Sequence, residues 1–350
     1  MRTLARTVSR TLVILLVVGG PVQARDLASN IAVHIDRDRD RAPTPIHQQY
    51  LSLIRSANGG DEIILLQKVF RNKKLNRALV DAAGRGVKVT GIYRDDVRPR
   101  CEDLLPPRSS IDCCQLFIRN GHVHHKSMVL HRRNGNTTAI VGSFNLRERH
   151  RTSPRVHTVL SFDVEADDAF FPFYKAHADS IRDIPTDSAT FLTLATEGDG
   201  RISFTFHPSE SNPVVDLLGN VSRCEGPLWL SYYRAQPDAI GEPVFSLLGG
   251  LAERGCDVRF LLDRHRKNRA TERRLRPLGV TVHYPDYPEG RRTLGHKIVM
   301  VRSGGRLYLI QSSANLNDKA HRNQHNLTLH LTGDFPAIEQ ALNRELSRYW

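Results

Sequence analysis

The sequence predicts an α/β fold made of two copies of one strand-and-helix unit. Two observations carry this. Short apolar segments with strand and helix periodicity alternate along the chain, and the second half repeats the landmarks of the first at a nearly constant distance. A third supports it: 350 residues with 40% apolar content can fill the cores that such a fold must bury.

The first 24 residues stand apart. Arg2, Arg6 and Arg10 precede an apolar run at residues 12–18 and the small-residue site Val22-Gln23-Ala24. This is the layout of a secretory signal peptide cut after Ala24. The run is shorter than the roughly 20 residues that cross a bilayer, so the mature protein is expected to be soluble and secreted or periplasmic.

From Ile31, IAVHI reads as a strand and IHQQYLSLIRSA as a helix. GGDEIILLQKVF then reads as a turn and buried strand. LNRALVDAAGRGVKVTGIYRDD follows as a helix closed by Gly86 and a strand ending in acids. HVHHKSMVLHRRNGNTTAIVGSFN, residues 122–145, has the pattern of a hairpin turning at residues 132–136. Residues 184–200, rich in Thr, Ser, Asp and Gly, read as a connector.

RISFTFHP, PVVDLLGNVSRCEG, PLWLSYY and FSLLGGLAERGCDVRFLLDRH then repeat the earlier order, and FPAIEQALNRELSRYW closes the chain as an amphipathic helix. Arg85-Gly86 matches Arg254-Gly255, Lys126 matches Lys297, and Asn145 matches Asn315, each pair separated by just under half the length of the chain. Three landmarks in register indicate an internal duplication: a first half at 25–185, a linker at 186–200 and a second half at 201–350. Duplicated halves commonly build their site where they meet.

The formal charge is +13, and loss of the leader's three arginines leaves +10, 47 basic against 37 acidic residues. That balance favours anionic partners such as phosphodiesters, nucleic acid or acidic lipid head groups. Aromatic content is only 7%, with no stripe of aromatics among basic residues of the kind that stacks bases. The five cysteines contain no CxxC pair, which argues against a zinc site. Cys101 with Cys113 or Cys114, and Cys224 with Cys256, are candidate local bridges that leave one thiol over.

In an extended strand residues two apart share a face. His122, His124 and Lys126 therefore point one way, and His125 and Ser127 the other. The returning strand brings Asn145 back toward Lys126. An imidazole beside an ammonium and a carboxamide suits phosphoryl transfer: the imidazole attacks phosphorus while the other two hold the non-bridging oxygens. A solvated histidine face is the bland alternative.

His124-His125-Lys126 followed by Gly142-Ser143-Phe144-Asn145 resembles the HxK and GSxN signature of the phospholipase D superfamily. LVDAAGRGVKVTGIYRDD and its second copy LAERGCDVRFLLD also look like that family. The resemblance implies two α/β/α halves with mixed sheets and a site at their interface. It also implies phosphodiester cleavage through a phosphohistidine, with no metal or other cofactor. By the same resemblance His124 is the nucleophile, Lys126, Asn145, Lys297 and Asn315 hold phosphate, and Gly142, Ser143 and Ser313 support the loops.

The second copy, TLGHKIVMVRSGGRLYLIQSSANLN, departs from that pattern. Gly295 stands at the HxK histidine position, with His296 one residue late, on the opposite face of a regular strand. A bulge at Gly295 would re-aim it. The family's aspartate five residues after each lysine is replaced by His131 and Arg302. Its glutamate after GSxN, which orients the other half's histidine, gives way to His157 and His325.

Three readings follow. One is an active enzyme in which His124 attacks and His296, His321 or His325 is the general acid. Another is a homodimer pairing two first-half sites, where the first reading expects a monomer. The last is a catalytically impaired protein that binds anionic phosphodiester ligands. For the substrate, phospholipid with peripheral membrane contact stands first, and DNA or RNA second.

Overall fold

The computed structural model describes residues 27–36, 44–94, 111–116, 122–147, 155–165, 169–182, 191–196, 199–209, 211–285 and 293–350. The expected signal peptide, Cys101 and the thiols of Cys113 and Cys114 lie outside what is described.

In the first half the elements run β1 (Leu27–Asp36), α1 (Pro45–Ser56), β2 (Glu62–Gln67), β3 (Phe70–Arg71), α2 (Lys73–Gly84), β4 (Lys88–Arg94) and β5 (Ile111–Leu116). They continue with β6 (His122–Val123), β7 (Lys126–His131), β8 (Thr137–Gly142), β9 (Leu146–Arg147), β10 (Arg155–Val164) and α3 (Phe170–Ile181). The second half runs β11 (Phe191–Thr196), β12 (Arg201–His207), α4 (Pro213–Gly219), β13 (Leu228–Tyr232), α5 (Gly241–Glu253), β14 (Val258–Leu262), α6 (Asn268–Leu275) and β15 (Thr281–His283). It ends with β16 (Thr293–Leu294), β17 (Lys297–Ser303), β18 (Arg306–Ser312), α7 (Asp318–Arg322), β19 (Gln324–Gly333) and α8 (Pro336–Ser347).

Helix starts follow capping chemistry. Asn72 Oδ1 accepts from Leu75 N at the head of α2, and Thr44 and a first-turn proline open α1. Strand faces follow the period of two. In β2, Ile63 and Leu65 pack under α1 and α2, while Ile64 and Leu66 face the opposite core. β17 divides likewise, with Val299 and Val301 toward α5, and Ile298 and Met300 in the core shared by both halves.

The first half's sheet has the order β5-β4-β2-β7-β8-β10-β1, and the second half's β15-β14-β13-β17-β18-β19-β12-β11. β1 and β11 pair in parallel and join the two. The shared inner core holds α3 and α8 between the sheets, built on Phe162, Phe170, Phe204, Phe206, Ile338 and Leu342. The closing amphipathic helix therefore docks as its pattern indicates.

The stretch read as a linker is not one throughout, because residues 191–196 form β11. Leu194 and Thr196 are buried there: the alternation inside FLTLAT supplies a face for the shared core. Cys224 and Cys256 form a disulfide with Cα atoms 5.4 Å apart.

Two short pairings fix how the halves meet. β6 lies parallel to the start of β19, and β16 lies parallel to the start of β10. The same crossing is made in both directions: His124 N donates to His325 O, and Gly295 N donates to Val156 O, each at 2.8 Å.

Candidate active site

The HxK segment and its second copy, Gly295-His296-Lys297, each end at the head of a central strand. Lys126 opens β7 opposite Gln67, and Lys297 opens β17 opposite Tyr232. Both lysines are buried, as are His124, Ser143 and Asn145. Each ammonium donates to the carbonyl two residues back, Lys126 Nζ to His124 O at 2.6 Å and Lys297 Nζ to Gly295 O at 3.1 Å. Lys126 Nζ also lies 3.2 Å from His124 Nδ1.

The opposite face of β7 does something else. Ser127 Oγ hydrogen bonds Tyr174 OH at 2.7 Å and His125 Nε2 meets His177 Nε2 at 3.0 Å, both partners on α3. His125 thus belongs to the inner core. The side chain of His122 lies outside what is described.

His124 is held from the other half. Its Nδ1 is 2.9 Å from Asn326 Oδ1 on β19. The orientation of that carboxamide is set by its surroundings: Nδ2 donates to Ala320 O at 2.7 Å, and Oδ1 accepts from Ser313 Oγ at 2.9 Å. That oxygen accepts from Nδ1 in the tautomer with the proton on Nδ1 and the lone pair on Nε2. Burial pushes the His124 pKa well below the usual histidine range, and the charges of Lys126, Lys68 and Lys297 push it further in the same direction. Both effects favour the neutral imidazole.

Asn145 and Asn315 follow the two GSxN positions. The Oδ1 of each is buried without a hydrogen-bond partner among the described residues. Buried polar atoms are usually satisfied, so these two matching oxygens are open to a donor from a ligand. Gly142 cannot be replaced without strain, since a Cβ there would run into Thr158 O. Ser143 Oγ bonds Thr158 N and lies 3.3 Å from His157 Nδ1.

The three histidines expected as general acid lie elsewhere. No bulge re-aims His296: Gly295 keeps the register of His124, and the His296 ring is turned to Thr158 Oγ1, on the inner-core side of β10. The strand period decides this, because His296 shares its face with Ile298 and Met300. His321, on α7, packs its ring 4.6 Å from that of His207. His325 is one residue out of step, contributing its carbonyl to His124, while its neighbour Asn326 contributes the side chain.

Two residues were not picked out from sequence. Asn326 stands where His325 was expected, and the repeat offset that carries Arg85 onto Arg254 carries His157 onto Asn326. Lys68 follows β2, and its charge acts on His124; it lies at the end of an apolar strand with no motif around it.

The lost aspartates are remote from this chemistry. His131 and Arg302 sit five residues along their strands from the lysines, about 17 Å at 3.4 Å per residue. His131 stacks on Phe171, and Arg302 forms ion pairs with Glu339 and Asp334. Among the described residues no group of three or more His, Cys, Asp or Glu side chains is arranged to hold a metal ion.

The assembled groups can bind a phosphodiester anion with three ammoniums and two carboxamides, and present Nε2 of one neutral imidazole to phosphorus. Residues 50–155 match the family described as cardiolipin synthase, PLD-like domain. No curated protein matches the sequence.

Among solved structures, the chain is similar to phosphatidylserine synthase of Haemophilus influenzae Rd KW20, with TM-score 0.63 and 13% identity over 93% of this chain and 87% of that one. It is similar to polyphosphate kinase of Porphyromonas gingivalis, with TM-score 0.62 and 16% identity over 91% of this chain, which spans only 46% of the kinase. A mutant yeast tyrosyl-DNA phosphodiesterase gives TM-score 0.55 and 11% identity over 86% of this chain and 90% of that one. These likenesses share the two-half α/β architecture described above. The family match covers residues 50–155, less than a third of the chain, and the solved structures, at 11–16% identity, show that the chain shares their fold.

Proposed function

We propose that the protein is an exported phosphodiesterase that acts through a phosphohistidine on His124, with phospholipid as its substrate. The observation that carries the reading is the placement of buried His124, with Nδ1 2.9 Å from Asn326 Oδ1 of the opposite half and the charges of Lys126, Lys68 and Lys297 acting on its ring. In the first step Nε2 forms a bond to phosphorus, the bond to the leaving oxygen breaks, and the electron pair departs on that oxygen. In the second step water attacks phosphorus, the electron pair of the P–N bond returns to Nε2, and the proton shed by the water balances the one taken up by the departed oxygen. Lys126, Lys68, Lys297, Asn145 and Asn315 offset the charge on the non-bridging oxygens throughout.

The lipid assignment is supported by the phospholipid chemistry named in the matched family and in the Haemophilus structure. Peripheral membrane contact by a monomer follows from the same reading. A nucleic-acid substrate is favoured by the net positive charge and by the tyrosyl-DNA phosphodiesterase fold. Gly295 favours a third reading, an anion-binding protein without turnover.

One experiment separates them. The purified protein and His124→Ala are given bis(4-nitrophenyl) phosphate in excess chelator, then phosphatidylcholine and supercoiled plasmid over a range of salt. Turnover that survives the chelator and disappears in the variant, with choline release and no nicking, is expected. Equal turnover in both proteins, or none in either, overturns the mechanism.

A further inference from the structure

Gly295 removes the second HxK histidine, and the space it vacates is filled. A Cβ built on Gly295 would lie 2.5 Å from His157 Nδ1, 2.6 Å from its Cε1 and 2.5 Å from Val156 O. Any side chain at 295 would therefore overlap the His157 ring. The loss at one position and the imidazole at the other are two sides of one steric exchange.

The placement of His157 repeats the geometry around His124. Gly295 N donates to Val156 O as His124 N donates to His325 O, so 295 and 124 occupy matching places in the two halves. His157 then matches Asn326, the residue that reaches the 124 ring from behind. Asn326 ends short of the His124 ring, whereas His157 is long enough to enter the place of the missing one.

Its surroundings hold it there. His157 is buried and shares a face of β10 with Val159. Thr158, on the other face, takes His296 away from the site. Phe144 stands edge-on to the His157 ring at 5.2 Å, and Ser143 Oγ lies 3.3 Å from Nδ1.

We propose that His157 is the catalytic general acid of this chain, an imidazole moved from the head of β17 to the start of the neighbouring β10. The inference rests on His124 being the nucleophile. As Nε2 of His124 closes its bond to phosphorus, the imidazolium of His157 gives its proton to the leaving oxygen, which departs as a neutral alcohol. In the second step the now neutral His157 takes a proton from the attacking water, and both groups return to their starting states.

The test uses leaving groups of different basicity on the phosphoryl group that the preceding assay selects, phosphatidyl or nucleotidyl. One substrate carries p-nitrophenol, which leaves as a stable anion, and the other a primary alcohol, which needs a proton. For His157→Asn and His157→Gln the alcohol substrate should slow by about 100-fold or more, within the range of general acids. The first-turnover burst of nitrophenolate should fall by less than about 10-fold. Added imidazole should restore alcohol release in His157→Ala, a response that a packing role would not give.

Equal losses on both substrates, or no loss on either, in variants that melt like the wild type overturn the assignment of His157 while His124 stands. A His124→Ala protein that keeps the nitrophenolate burst, or a wild type silent on both substrates, overturns the nucleophile and the proposal with it.

Discussion

Lowering the pH from 7 to 5 should cost this fold about 4 kcal/mol through two buried histidines alone. Burial pulls the pKa of His296 and of His321 down to about 4, against 6.5 for a free imidazole. Glu345 pulls the first back upward and Lys297 pushes it down, while Asp238 acts upward on the second.

As pH falls through 6.5 the unfolded chain takes up a proton at each site, and the folded chain does not until about 4. The unfolded state then binds more protons, so the free energy of unfolding falls with pH and levels off below about 4. At 1.36 kcal/mol per unit, the 1.5 units between 6.5 and 5 amount to roughly 2 kcal/mol for each histidine. The pair matters against a total stability of about 5–15 kcal/mol. His125, His177 and His207 are shifted downward as well and add in the same direction.

Urea unfolding at pH 7, 6 and 5, with the m value followed to confirm one transition, measures the loss. His321→Gln should flatten the slope by the share of one group. A loss below about 1 kcal/mol between pH 7 and 5 would refute the neutral, buried state assigned to these rings.

Asn326→Ala removes the acceptor of His124 Nδ1–H and of Ser313 Oγ, and leaves Ala320 O without that donor. It should cost about 1–3 kcal/mol in a denaturation curve, and a single-turnover rate should fall by about 10-fold or more as the tautomer is released. Lys68→Met should raise the concentration of phosphodiester needed for half-saturation by several-fold, with the His124 ring titrating higher by NMR, since one of the charges depressing it is gone. Arg302→Ala breaks the half-exposed pairs to Glu339 and Asp334 and should shift stability by less than about 1 kcal/mol. Its kcat should match that of the wild type, since the residue lies about 17 Å along the strand from Lys297.

Much of this protein is legible along the chain because the informative contacts are local. Apolar periodicity marks α1, β2, α2 and their second copies, since each element must bury one face whatever its neighbours are. The nearly constant repeat offset aligns Lys126 with Lys297 and Asn145 with Asn315. HxK and GSxN lie on the two arms of one hairpin, so their proximity follows from a turn. The parity rule is also enough to separate His124 and Lys126 from His125 and Ser127, and to place His296 on the wrong side of its strand.

The partners of those motifs come from strands that cross between the halves, and there local rules have nothing to act on. Asn326 meets His124 across 202 residues. The choice between it and His325 is a one-residue register that only the β6–β19 pairing settles. Gly295 likewise reads from sequence as a bare loss. What fills it depends on the β10–β16 pairing that sets the His157 ring against its Cα. The duplicated α/β fold, and the shared strand face of His124 and Lys126, were legible in the residues alone. Which residues come to surround His124 and Gly295 was not, because interstrand register between distant segments is fixed by the packing of the whole sheet and not by any run of neighbouring residues.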